Sequence, residues 1–178
     1  ADSTKYFKGG LHGVRLWSIS KSLAPIAVDM NISLSRNKSG LLYNWNMDEA
    51  AGSLTKDHVR SRDGLISGAT WQVTPNGYAA SFDGAASNVS VSASTIAVSK
   101  EMDFTLEFWF NSSQAGVATL FSNGKGDGLS SDSLTSWNIR KDVFGKIHVM
   151  HHGMDFVASD SNYFDGGWHH FALVMQRT

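Results

Sequence analysis

Cysteine is absent from this 178-residue chain. No disulfide framework can form, which excludes the small stapled secreted folds but not secretion itself, since bacterial surface proteins commonly lack cysteine. Charge is also sparse, at 17% of residues against 42% hydrophobic, a balance that lets one substantial core be buried. The net charge of −1, with 15 Lys and Arg scattered rather than striped, supplies no field for a phosphate backbone, so nucleic acid is not expected as a partner. No run reaches the roughly 18 apolar residues of a membrane span. Ala1-Asp2-Ser3 lacks a basic region followed by an apolar run, so any signal peptide or anchor is expected outside these residues. Proline, too, is scarce: there are two.

What remains is glycine, aromatics and polar punctuation. Seventeen Gly with ten Phe, six Trp and four Tyr, set among Ser, Asn and Asp, read as many short strands joined by turns. From Met102 to Phe110 the even positions Met102, Phe104, Leu106, Phe108 and Phe110 are apolar, while Asp103, Thr105, Glu107 and Trp109 alternate with them. A period of two over that length is a strand with one face in a core and, on this reading, a polar outer face. The segments Leu41–Met47, Tyr78–Phe82, Val89–Ser92, Val117–Ser122, Ser136–Arg140, Lys146–His151 and Trp168–Val174 read the same way. The expected fold is all-β, an antiparallel β-sandwich.

One segment departs from this period. Between Ser20 and Leu34, the residues Leu23, Ile26, Ala27, Met30 and Leu34 recur at helical spacing. Ser20 or Ser22 can cap that helix and Pro25 is tolerated in its first turn. The polar run Arg36–Gly40 ends it. One short connecting helix is expected.

Five motifs carry a resemblance. Phe7-Lys-Gly-Gly-Leu-His-Gly-Val-Arg-Leu-Trp17 resembles the closing strand of laminin-G-like, concanavalin A-like jelly-roll domains. Gly40–Glu49, with Gly52, Asp57 and Asp63-Gly64, resembles their opening segment. Ser81-Phe-Asp-Gly84, Phe104–Trp109 and Gly167–Leu173 continue the likeness in family order. A closing motif thus precedes an opening one. The resemblance implies that residues 1–38 are the closing strand of a preceding repeat plus a helical connector. Residues 39–178 are then a sandwich truncated at its C-terminal end, in a tandem array. In an alternative arrangement, Leu11–Trp17 folds back beside Leu41–Met47 and takes the place of the missing strand.

The same superfamily includes glycoside hydrolases, so the carboxylates matter. Glu101, Asp103 and Glu107 share parity on one strand. Carboxylates four residues apart on a regular strand are roughly 13 Å apart, too far for the roughly 5–5.5 Å of a retaining pair, and no catalytic residue is assigned. The doublets His151-His152 and His169-His170 each supply at most one ligand to a shared site, because neighbours on a strand face opposite ways. The resemblance implies that Trp168-His169-His170 is a structural strand with one His turned inward to bond across the sandwich. Gly124, Gly126 and Gly128 follow a strand without the helix that a phosphate loop needs.

Calcium suits such a fold better than zinc or iron, and the resemblance places a structural ion near Asp48, Asp57 and Asp63. Asp57 and Asp63 equally suit Asx turns that hold their own loop. For glycans, Trp137 and Trp109 are the candidate platforms, among Trp71, Tyr78 and Tyr163, with the loop from Gly124 to Trp137 as a rim. The sequons at Asn31, Asn37, Asn88 and Asn111 would accept glycans only in a eukaryotic secretory route. The expected function is a non-enzymatic, extracellular or cell-surface adhesion or glycan-binding repeat, bacterial in origin. Its expected partners are neighbouring repeats, glycans or a surface protein. The alternative is a carbohydrate-binding module serving a polysaccharide-degrading enzyme.

Overall fold

The computed structural model describes residues 6–34, 38–92, 102–123, 137–151 and 154–177. Glu101, Asn37, His152 and the loop 124–136, with its Gly triplet, lie outside the described residues. The chain is mostly β. In order the elements are β1 (Lys8–Trp17), α1 (Leu23–Asp29), β2 (Leu41–Trp45), β3 (Leu54–Thr55), β4 (Gly64–Ser67), β5 (Thr70–Thr74) and β6 (Gly77–Asp83). They continue as β7 (Asn88–Ser90), β8 (Phe104–Asn111), β9 (Ala118–Ser122), β10 (Trp137–Lys141), β11 (Ile147–His151), β12 (Met154–Val157) and β13 (Trp168–Met175).

The strands form three antiparallel sheets. The largest has six strands in the order β13-β8-β1-β6-β5, with β2 also paired to β1. A second sheet runs β12-β11-β10-β9, and a small one β3-β4-β7. Phe104, Leu106, Phe108 and Phe110 of β8 are each at most 2% exposed, and they share one core cluster with Ile139, Ile147 and Val149 of the second sheet. Burial of side chains of this size stabilises by about 1.5–3 kcal/mol each. The alternation read from the sequence is therefore the alternation of the core face.

Strand β1 holds the large sheet together. It pairs with β8 on one side, and on the other with β6 through Lys8–Leu11 and with β2 through Val14–Trp17. Val14–Trp17 thus lies beside Leu41–Trp45, and residues on both sides of position 38 share one sheet and one core. A register shift between His12 and Arg15 inserts an extra residue at Gly13, whose φ of +63° suits glycine. Because of that bulge Leu11, Val14 and Leu16 are all buried in the same cluster despite their mixed parity. Arg15 and Trp17 are turned to the opposite face, where they pair with Glu107 and Thr105.

The helix is shorter than its apolar spacing suggests. Ser22 is the N-cap residue but makes no side-chain capping bond, and α1 has seven residues. Its Ile26 and Asp29 are buried against the sheet, while Leu23 and Val28 are 80% and 63% exposed.

Candidate functional site

Strand register assembles the outer face of the large sheet. Cross-strand pairing aligns Trp168, Asn111, Gly10 and Ser81 in one row and His170, Trp109 and His12 in the next. Ala172, Glu107 and Arg15 form a third row, and Val174, Thr105 and Trp17 a fourth. Arg15, Trp17, Thr105 and Glu107 of the last two rows lie under the segment that joins β1 to β2, while Val174 at the outer strand is exposed; the first two rows remain half-open.

The covered half is a charged layer. Glu107 is 0% exposed, not on a solvated polar face as its alternation suggests, because residues 18–34 cross over β8. Thr105 bonds both ways, donating to Ile19 O at 2.9 Å and accepting from Lys21 N at 3.0 Å. Trp109 Nε1 donates to Met30 O at 3.0 Å, and Arg15 donates to the carbonyls of Asp29 and Ile32. Glu107 accepts from Trp17 Nε1 at 2.7 Å, with Lys21 Nζ at 3.4 Å and His170 Nε2 at 3.4 Å. Lys21 in turn sits 3.0 Å from Asp29, which Lys38 also reaches at 2.9 Å. Burial alone would raise the Glu107 carboxyl, but His170, Lys21, Trp17 and Arg15 together hold it below its ordinary range. Asp29 is lowered in the same way, by Lys38 and Lys21 against the effect of burial.

The open half is aromatic. His12 stacks on Trp109 with ring centroids 6.0 Å apart and planes 1° from parallel, and meets the edge of Trp168 at 5.0 Å. Trp109 contacts His170 at 5.2 Å. A Cβ added at Gly10 would lie 2.2 Å from Gln72 Nε2 and 2.8 Å from the Trp168 ring, so the missing side chain lets an amide and an indole approach across β1. His12, Gln72, Trp109 and Trp168 are all half-buried, and Asp48, exposed, lies near enough to act on His12 electrostatically. Burial, Arg15 and His170 lower the His12 pKa, and Asp48 opposes them. The group offers ring faces, an amide, an imidazole and a carboxylate.

The other expected site residues fall elsewhere. Trp137 is 3% exposed, stacked on Phe121 at 5.3 Å and packed on Phe104, so neither ring face is open to a sugar. Asp57 accepts from the backbone N–H groups of Asn44, Val59, Arg60 and Arg62, and Asp63 from Asp57 N and Lys56 Nζ. A carboxylate whose lone pairs already meet four N–H donors has none left for a cation. Asp57 is therefore engaged by its own loop, and among the described residues no group of three or more His, Cys, Asp or Glu side chains that could hold a metal ion occurs. Asp57 and Asp63 act as loop-holding residues.

No family model, curated protein or solved structure matches this chain. The site therefore rests on its own geometry. Of its members, only Trp109 and Asp48 stood out in the sequence as ligand candidates. His12, Gln72 and Trp168 did not, because register between strands up to about a hundred residues apart brings them together. His169 faces inward beside Phe110, but its bond is to Asp165 at 2.8 Å, in the turn before β13, not across to the other sheet.

Proposed function

We propose that this chain is a non-catalytic carbohydrate-binding module of an extracellular, surface-displayed protein, built as a concanavalin-like jelly roll. The carrying observation is the half-open row of Trp168, Trp109 and His12 beside Gln72 and Asp48. Sugars bind where a ring face can cover their C–H surface while amide and carboxylate groups bond their hydroxyls, and these five residues supply both. Antiparallel sheets with a shared core support the jelly-roll reading, as do the five motifs in family order.

The non-catalytic reading is supported by the placement of the acids. Glu107 is sealed and ion-paired, and Asp103 accepts from Ser20 Oγ and Arg177 N. Glu107, sealed in this way, is closed to a glycosidic bond.

A glycan array probed with the 178-residue chain, followed by calorimetry on the best ligand, tests this. Binding is expected for the wild type and a loss of at least about tenfold for Trp168→Ala, or roughly 1.4 kcal/mol. The melting temperature should stay near that of the wild type. Chelator should leave binding unchanged. An array silent with and without calcium would sink the proposal.

A further inference from the structure

The two halves of the outer face differ in whether their polar groups are already bonded. In the covered half Lys21, Asp29 and Glu107 pair with one another, and Arg15 donates to two backbone carbonyls. In the open half Trp109 gives its indole N–H to Met30 O. The His12 imidazole, the Gln72 amide and the Trp168 indole N–H have no hydrogen-bond partner among the described residues. Asp48 has neither a hydrogen bond nor an ion pair among them.

The backbone fixes where Asp48 stands. Gly13 N, in the bulge of β1, donates to Asn46 O at 2.8 Å. Met47 is buried in the core cluster, and Glu49 accepts from Thr55 Oγ1 at 3.1 Å and Lys56 N at 2.6 Å. Both neighbours of Asp48 are thus anchored while its own carboxylate stays exposed beside His12. Met47 also has φ of +57°, a left-handed conformation that a long side chain seldom adopts. Backbone strain of this kind collects where a chain must present a group in one place.

Cations near the row are engaged elsewhere. Arg15 is held by the carbonyls of Asp29 and Ile32, and His170 by Glu107. Lys8 shares the outer face, but its side chain lies along Gly84, on the side away from Gly10. An unpaired carboxylate beside ring faces attracts a cation twice over, because the ring face is itself the negative pole of its quadrupole.

We infer that Asp48 sets a charge preference for this row: among sugars of one backbone, one bearing an ammonium group binds tightest and one bearing a carboxylate weakest. The inference rests on the carbohydrate-binding reading and narrows it to amino sugars. An ammonium group meets Asp48 and the ring faces together, whereas a uronate brings a like charge against Asp48.

Three tetrasaccharides of one linkage, built of glucosamine, glucose and glucuronate, are the probes. In calorimetry at mildly acid pH, where the amine is protonated, the wild type should bind the glucosamine probe at least about threefold tighter than the glucose probe. The glucuronate probe should bind at least about threefold weaker than glucose. Added salt should shrink the spread. Asp48→Asn should bring the three within about twofold of one another, and Asp48→Lys should reverse their order. Both variants should keep the wild-type circular dichroism, because Asp48 is exposed and its side chain holds no other group. Equal affinities in the wild type, or an order that survives Asp48→Lys, would overturn the inference and leave carbohydrate binding standing. Silence on all three probes also overturns it, and a silent glycan array beside that silence removes the binding reading as well.

Discussion

A carboxylate removed from water needs its charge answered on every side, and Glu107 has Trp17, Lys21 and His170 around it, with Arg15 opposite on the neighbouring strand. Truncating it would leave Lys21, 3% exposed at its side chain, with Asp29 as its remaining acid. Breaking one partner out of a buried charged group costs about 3–5 kcal/mol, and Glu107→Ala is expected to fall in that range by urea denaturation. Glu107→Gln, which keeps an oxygen for the Trp17 indole, should lose less. This residue also marks a limit of sequence reading. Its parity on β8 correctly set it on the face opposite Leu106 and Phe108, yet nothing in the local pattern told whether solvent or protein lay on that side. The cover is supplied from residues 18–34, some eighty positions away.

At the scale of elements, β1 carries the tightest constraint. Gly9 has φ of +149°, and a Cβ there would stand 2.2 Å from the backbone oxygen of Asn111 in β8. Gly9→Ala must push β1 and β8 apart or twist the strand, at a cost on the order of 1–3 kcal/mol, measurable as a lowered urea midpoint. Expectation and observation agree best where strands are long and half-buried: β8 and β13 occupy nearly the spans that alternation marks. The strands β3, β4, β5 and β12 were not legible: β3 has two residues, β4 buries Gly64 and exposes Leu65, and β5 and β12 bury no residue fully, so none shows an apolar face in alternation. α1 lost its outer turns for a related reason. Its apolar spacing extends to Leu34, but only Ile26 and Asp29 within it are buried, so packing supports seven residues and no more.

Across the whole molecule, acid should act in two stages. His12 has a pKa below its ordinary 6.5 in the fold, so between those values the unfolded chain binds the extra proton and stability falls as pH drops below 6.5. Glu107 is held below its ordinary 4.5 and Asp29 below 3.8; their contribution is complete above those values and is lost as pH falls through the lower folded ones. Urea midpoints followed from pH 8 downward should therefore decline gently first and then steeply, and His12→Gln should remove the first decline. The all-β class and the core face were legible in composition and alternation. The pairing that builds the aromatic row was not, because which strands become neighbours is decided by the packing of the complete chain. That same topology has a consequence for biosynthesis. Leu11 pairs with Phe110, so the middle strand of the large sheet leaves the ribosome roughly ninety residues, or on the order of ten seconds, before its partner β8. Until then Leu11, Val14 and Leu16 can meet only the part of their core that β2 and β6 supply, and the pace of translation sets how long chaperones and proteases can reach the open side of β1.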